Sequence, residues 1–285
     1  MKDVRPDHHC IKSARFMAQT HNIIFRALNA IYQHAIFIQG DTQDAVDFLE
    51  YCGITYDFLH HHALCEERVY FPEIEKAAGV TGLMDSNVGA HRAMEKGLEK
   101  FRAYAETTRK EDYNATLLRG IIDDMKDSYQ KHQHDEIQTI LALHDKIPSD
   151  TLKKIDMLMR AESERQSDVF KAAPFVMGCQ DRNFILDGKK RTFPSTNILA
   201  AHTIPYIVDL FMSGRHARVW KFNPSSMQGK PKPYPKTNST VGVLSPKIPT
   251  KYQVKNNIGN GLKIVIVVYL YAIILTVWVV SGMLR

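Results

Sequence analysis

Histidines and carboxylates one helical turn apart are the residues of this sequence whose types and spacing could do chemistry. His62 and Glu66 stand four residues apart within His60-His61-His62-Ala63-Leu64-Cys65-Glu66-Glu67, and His132 and Glu136 repeat the interval. On a helix, residues i and i+4 stack on one face, so each pair can aim an imidazole and a carboxylate at one spot. Such a pair is half of a metal site, and a carboxylate can bridge two cations. His91 and Glu95 repeat the spacing a third time, although Glu95 sits at the edge of its apolar row and reads equally well as a solvated group. His21 stands without an acidic partner in the row Ala14, Met17, Ile24, Leu28 and Ile31. Alone, it would read as a core histidine hydrogen-bonded to a neighbour.

The elements that must position these groups follow from periodicity. Apolar residues recur at helical spacing over about 11–39, 43–69, 84–108 and 115–143. The inward row of the second helix is Phe48, Cys52, Leu59, His62, Glu66 and Val69, with Pro72 expected to end it. The third buries Met84, Val88, His91, Met94, Leu98 and Phe101; the fourth buries Leu118, Ile121, Met125, Tyr129, His132, Glu136 and Ile140. His60, His61 and His134 fall off these stripes, with His61 placed to pair with Cys65, and Glu67 reads as solvent-facing or as a support for a ligand. Asp41 or Thr42 is the expected N-cap of the second helix.

Four amphipathic helices joined by short turns predict an all-α, up-down-up-down four-helix bundle whose facing helices build a metal site in the core. Each helix contributes one inward histidine near mid-length. Four buried imidazoles and two in-register glutamates would be a costly core without a cation to neutralise them.

Composition bounds the remainder. Of 37 Lys and Arg and 31 Asp and Glu, residues 210–285 hold 11 basic and no acidic side chains, which leaves an acidic body with a basic tail. Cys10, Cys52, Cys65 and Cys179 form no C-x-x-C pair, and no signal-peptide pattern precedes them, so free thiols in a reducing compartment are expected. A charged helix should run over 149–166, capped by Ser149 or Asp150, followed by a mixed stretch over 174–194 and an apolar helix over 197–212. Trp220 and Phe222 should dock on the bundle while Arg215, Arg218 and Lys221 stay wet; a nucleic-acid partner is not expected. The expected organisation is therefore a tail over 1–10, the bundle over 11–145, a helical and irregular extension packed on it over 146–222, a basic, Pro-rich disordered linker over 223–262 and a transmembrane tail over 263–285. Residues 264–284 carry no charge and are long enough to span a membrane as one helix. Lysines before that stretch predict a tail-anchored protein with its bundle in the cytosol; without a true span, the protein would be cytoplasmic.

Thr20-His21-Asn22, Arg26-Ala27-Leu28-Asn29, His62-x-x-x-Glu66-Glu67 with Phe71-Pro72, Ala90-His91-Arg92-Ala93-Met94-Glu95 and His132-x-x-x-Glu136 resemble the hemerythrin-like, or HHE, domain over about 11–145. Arg218-Val219-Trp220-Lys221-Phe222 and Gly229-Lys230-Pro231 resemble a trailing segment of fungal members. The resemblance implies a non-haem di-iron centre, with His21 and His62 on one ion, His91 and His132 on the other, and Glu66 and Glu136 bridging. Oxygen carriers of the family have a further histidine where this chain has Glu95, a departure that points away from reversible oxygen carriage and leaves Glu95 as an additional candidate ligand.

Independently of that likeness, imidazole and carboxylate donors suit iron, manganese or zinc, and bridging carboxylates with several nitrogens favour two iron ions. Four-coordinate zinc would strand two of the six groups. The expected small ligands are dioxygen, nitric oxide or peroxide, bound for sensing or for iron handling at a membrane surface. The competing reading is a di-iron oxidase or oxygenase acting on a small or lipid substrate; a third is an interaction protein that no longer depends on iron.

Overall fold

A computed structural model describes residues 7–181, 185–186, 189–190 and 218–234. The chain divides into two compact units, Met1–Tyr252 and Gln253–Arg285, and all described residues belong to the first. The helix expected over 197–212, the linker beyond Tyr234 and the span over 264–284 lie outside the described residues. Among the described residues, no helix is long and apolar enough to cross a membrane.

The bundle consists of α1 (Cys10–His34), α2 (Gln43–Cys65), α4 (Asp85–Thr107) and α5 (Ala115–Leu141). α1 packs on α5 and α2, and α4 packs on α5 and α2. The stripes read from periodicity meet in one core that includes Ile24, Leu28, Ile31, Phe48, Cys52, Leu59, Met94, Phe101, Leu118, Met125 and Tyr129. Burial of these apolar faces supplies most of the drive to form the helices, which would be marginal alone. Val88 and Leu98, expected inside, are half-buried.

Local chemistry sets the helix ends. Thr42 caps α2, its Oγ1 accepting from the Ala45 N–H, and Asn114 caps α5 by accepting from the Leu117 N–H. α1 is shorter than expected. It ends at His34 and tightens into a 3₁₀ turn over Ala35–Phe37, before Asp41 turns the chain with φ at 57°. That turn is tied to the opposite connection, because the Asp41 N–H donates to the Lys110 carbonyl and Lys110 Nζ donates to Asp41 Oδ1.

Pro72 does not end the second helical segment, contrary to expectation. After Cys65 the helix widens into a π-helical turn over Glu66–Tyr70 and continues as α3 (Phe71–Ala78), closed by Gly79 at φ 66°. A proline ring clashes with the carbonyl four residues back in a regular helix. The wider turn relieves that clash, with the Phe71 N–H donating to the Glu66 carbonyl five residues back. The extra residue also changes the register: Tyr70 is buried, and Val69, expected inward, is only half so.

Beyond the bundle, α6 (Ser149–Gln166) is present as expected but lacks the expected cap. Pro148 precedes it, and Ser149 Oγ accepts instead from the His9 N–H. The stretch expected to be mixed begins with α7 (Val169–Cys179), which tolerates Pro174 inside it. Tertiary partners hold it: Arg26 Nε donates to the Cys179 carbonyl and Asn223 Nδ2 to the Pro174 carbonyl. A two-stranded antiparallel pair, β1 (Ile185–Leu186) with β2 (Lys189–Lys190), follows.

Trp220 and Phe222 dock as expected, Phe222 resting against the rings of His34, Phe48 and Tyr51. Lys221, expected to stay wet, donates to Asp44 Oδ1 at 2.6 Å and to buried Asp47 Oδ2 at 3.1 Å. The linker expected from Asn223 is packed over 223–234. Asn223, Ser225 and Met227 are buried, Arg26 Nη2 donates to Ser225 Oγ at 2.7 Å, and Lys232 Nζ donates to the Trp220 carbonyl. These buried anchors hold a segment whose Pro and Lys content suggested solvent exposure. None of the four cysteines is disulfide-bonded, and all four are buried.

Candidate metal centre

The six groups expected to converge do so in the middle of the bundle. His21 comes from α1, His62 from the last turn of α2, Glu66 from the first position of the π-helical turn, His91 from α4, and His132 and Glu136 from α5. Glu66 and Glu136 are 0% exposed, and His21, His91 and His132 are buried with them. His62 Nε2 lies 3.0 Å from Glu66 Oε1, and His91 Nε2 lies 3.5 Å from Glu66 Oε2. His91 Nε2 and His132 Nε2 are 3.0 Å apart. Glu136 Oε2 is 3.2 Å from His21 Nε2 and 3.8 Å from His132 Nε2.

These separations test whether the residues fit cations. Nitrogen and oxygen ligands about 2.1 Å from a shared ion, at right angles to one another, lie about 3 Å apart. The closest donor pairs have that spacing. His21 Nε2, His62 Nε2 and both oxygens of Glu66 and Glu136 are buried without a hydrogen-bond partner among the described residues. Buried polar atoms that close to one another, yet not hydrogen-bonded, face a common point rather than each other, and a cation there would compensate their desolvation. The donor atoms fall into two sets that could each hold a metal ion, His21 with His62 and Glu66, and Glu66 with His91 and His132. Glu66 belongs to both, one oxygen toward each set.

The electrostatics suit such an occupant. Burial, followed by the neighbouring His21, drives His62 well below the usual imidazole range. Burial likewise pulls His132 down to about 4, against the opposing pull of Glu136. Both rings are therefore neutral near pH 7, with lone pairs available for a cation. Glu66 is pushed well up by burial and then by Glu136, whereas for Glu136 burial is outweighed by the nearby imidazoles, His21 foremost, which hold it low. Burial and mutual repulsion thus favour a shared proton on the carboxyl pair, and a cation would relieve the same repulsion.

Glu67, which reads from spacing as solvent-facing or supporting, has a specific place. Its Oε1 lies 2.7 Å from His91 Nδ1 while its side chain stays 39% exposed. A carboxylate at Nδ1 keeps the proton there and leaves Nε2 bare toward the site. Glu95 is exposed, lines the cavity beside the site and belongs to neither donor set. His134 is exposed, His60 stacks on Tyr56, and His61 approaches Cys65 Sγ at 3.6 Å, all off the site as their helical phase required. Tyr129 was legible only as a core residue. It is a buried phenol with no partner for its Oη among the described residues, and burial followed by the charges of Glu66 and Glu136 raises its pKa.

A family model, the hemerythrin HHE cation binding domain, matches residues 13–144. The chain is similar to the dimeric xanthone biosynthesis cluster protein R11 of Cryptosporiopsis sp. (strain 8999), at 31% identity over 227 residues that cover 79% of this chain and 83% of that one. No solved structure matches the chain.

Proposed function

Because the chain belongs to the hemerythrin HHE cation-binding family, we propose that it holds two non-haem iron ions and uses them to bind a small ligand: dioxygen, nitric oxide or peroxide. His21 and His62 would hold one ion and His91 and His132 the other, with Glu66 and Glu136 as the carboxylates shared between them. The carrying observation is Glu66, whose two oxygens face two different sets of donors. Manganese or zinc is the poorer fit, since a four-coordinate zinc ion would leave two of the six groups without a metal. Bound there, the iron pair supplies open coordination positions and electrons for a small molecule.

The protein's own part is to prepare and guard those positions. Burial keeps His62 and His132 unprotonated, and Glu67 holds the His91 proton on Nδ1. Leu59 and Met94 put apolar surface beside the donors.

Metal analysis and optical spectroscopy of the purified chain test this reading. About two irons per chain, with an absorption band that changes on adding nitric oxide or oxygen, are expected; stoichiometric zinc, or no uptake after anaerobic iron loading, would defeat it.

A second reading, a di-iron oxidase or oxygenase, is favoured by a cavity of about 290 Å³ beside the donors, more room than a diatomic ligand needs. The similar protein's name links that protein to a biosynthesis cluster, in keeping with an enzyme. Turnover of an organic compound in proportion to oxygen consumed separates the two. The charge-free stretch 264–284 is proposed as a membrane span that holds the bundle at a membrane surface.

A further inference from the structure

The cavity beside the donors lies between α2, α4 and α5, and His62, Glu66, His91 and His132 are among its walls. With these residues taken as metal ligands, as proposed above, an occupant of the cavity stands against the ions. A water molecule claims about 30 Å³ of liquid volume, and a diatomic ligand needs little more. A volume of about 290 Å³ is instead at the lower edge of pockets that hold organic ligands. We propose that this cavity is a binding site for a neutral or cationic organic molecule of single-ring size, held beside the metal centre.

The lining gives the chemical class. Leu59, Met94 and Leu98 offer an apolar wall, and the parallel rings of His60 and Tyr56, 5.4 Å apart, border it with aromatic surface. Tyr129 and Gln133 also line the cavity, and their Oη and Oε1 are buried without a hydrogen-bond partner among the described residues. Both atoms are closed to a water-sized molecule, so an occupant would reach them only by turning the two side chains toward it. Charge selects further. Glu67, Glu95 and Glu99 line the cavity against the guanidinium of Arg92, an acidic excess that opposes an anionic occupant as long as the site holds no metal, since bound ions would offset it.

Benzyl alcohol, benzylamine and benzoate share one ring and differ in charge, which makes them suitable probes for the full chain. Saturation-transfer NMR reads occupancy, and faster relaxation of probe protons with iron-loaded than with zinc-loaded protein reads closeness to the metal. The alcohol and the amine are expected to bind and to relax faster with iron, while benzoate binds the metal-free chain at least about tenfold more weakly than they do. Leu98→Trp, which fills the cavity, should abolish binding of both with metal content and helical signal unchanged. Glu95→Lys, an exposed change that spares the core, should narrow the gap between amine and benzoate. The proposal is overturned if neither neutral nor cationic probe gives saturation transfer, if benzoate binds the metal-free chain as well as they do, if well-folded Leu98→Trp binds like the parent, or if bound probe relaxes alike with either metal. Saturation transfer needs no metal, so failure of the chain to take up iron would sink the di-iron reading while leaving the cavity open to this test.

Discussion

Glu66 belongs to both donor sets of the candidate centre, and its neighbour Glu67 supports one of them through His91. Replacing Glu67 by Gln removes the charge that holds the Nδ1 proton; iron affinity should fall about 10–100-fold, measured by competition with a chelator. The same variant should keep its thermal stability without metal, since Glu67 is partly exposed. Acid acts on the imidazoles. His62 and His132 lie below their usual 6.5 in the folded chain, His132 at about 4, so as pH falls from 6.5 the unfolded chain binds more protons and stability falls with it. Glu136, held low, contributes in the same direction; Glu66, raised, has the opposite sign, and its burial costs more as pH climbs above 4.5. The metal-free protein should therefore melt at lower temperature on both sides of an intermediate pH. Metal should restore the high-pH side by neutralising Glu66, and should be released between pH 6.5 and 4. Melting curves with and without iron across pH 4–8 check this; a flat profile for the metal-free chain would contradict it.

The π-helical turn over Glu66–Tyr70 is where an element decides the site. It lets one helical path carry His62 and Glu66 inward, put Glu67 beside His91, and then pass Pro72 into α3. Deleting Val69 removes the extra residue and restores regular helical register, at the cost of pressing Pro72 onto the preceding turn. Circular dichroism should then show the helix content nearly unchanged while iron binding drops to less than one ion per chain; retention of both ions would show that the wide turn is dispensable. Spacing alone identified His62 and Glu66, because four residues precede the irregularity. It could not identify Tyr70 as buried or Pro72 as helical, because a change from four-residue to five-residue bonding leaves no mark in hydrophobic period.

At the level of the whole molecule, the bundle is clasped by its own later sequence. Phe222 sits among His34, Phe48 and Tyr51, and residues 223–234 return Ser225 and Lys232 to hydrogen bonds on that surface. A chain cut after residue 222 should therefore be less stable to urea than one cut after 234, by about 1–3 kcal/mol for the lost buried hydrogen bonds and packing. Equal midpoints would make the segment an ornament of the surface. Removing 264–284 should release the protein from membrane pellets, and unchanged partitioning would count against the proposed span.

The sequence by itself determined the four helices and the phase of most inward side chains on them, Val69, Val88 and Leu98 excepted, because amphipathic periodicity is a local property that burial has only to satisfy. It likewise singled out His21, His62, Glu66, His91, His132 and Glu136, since one rotation angle per residue decides which histidines of a run face the core. Only the tertiary structure decided that Glu66 turns one oxygen to each donor set, that Glu67 reaches His91 across from another helix, and that 223–234 lies down on the bundle. Those facts depend on distances between segments far apart in the chain, which packing fixes and composition does not record.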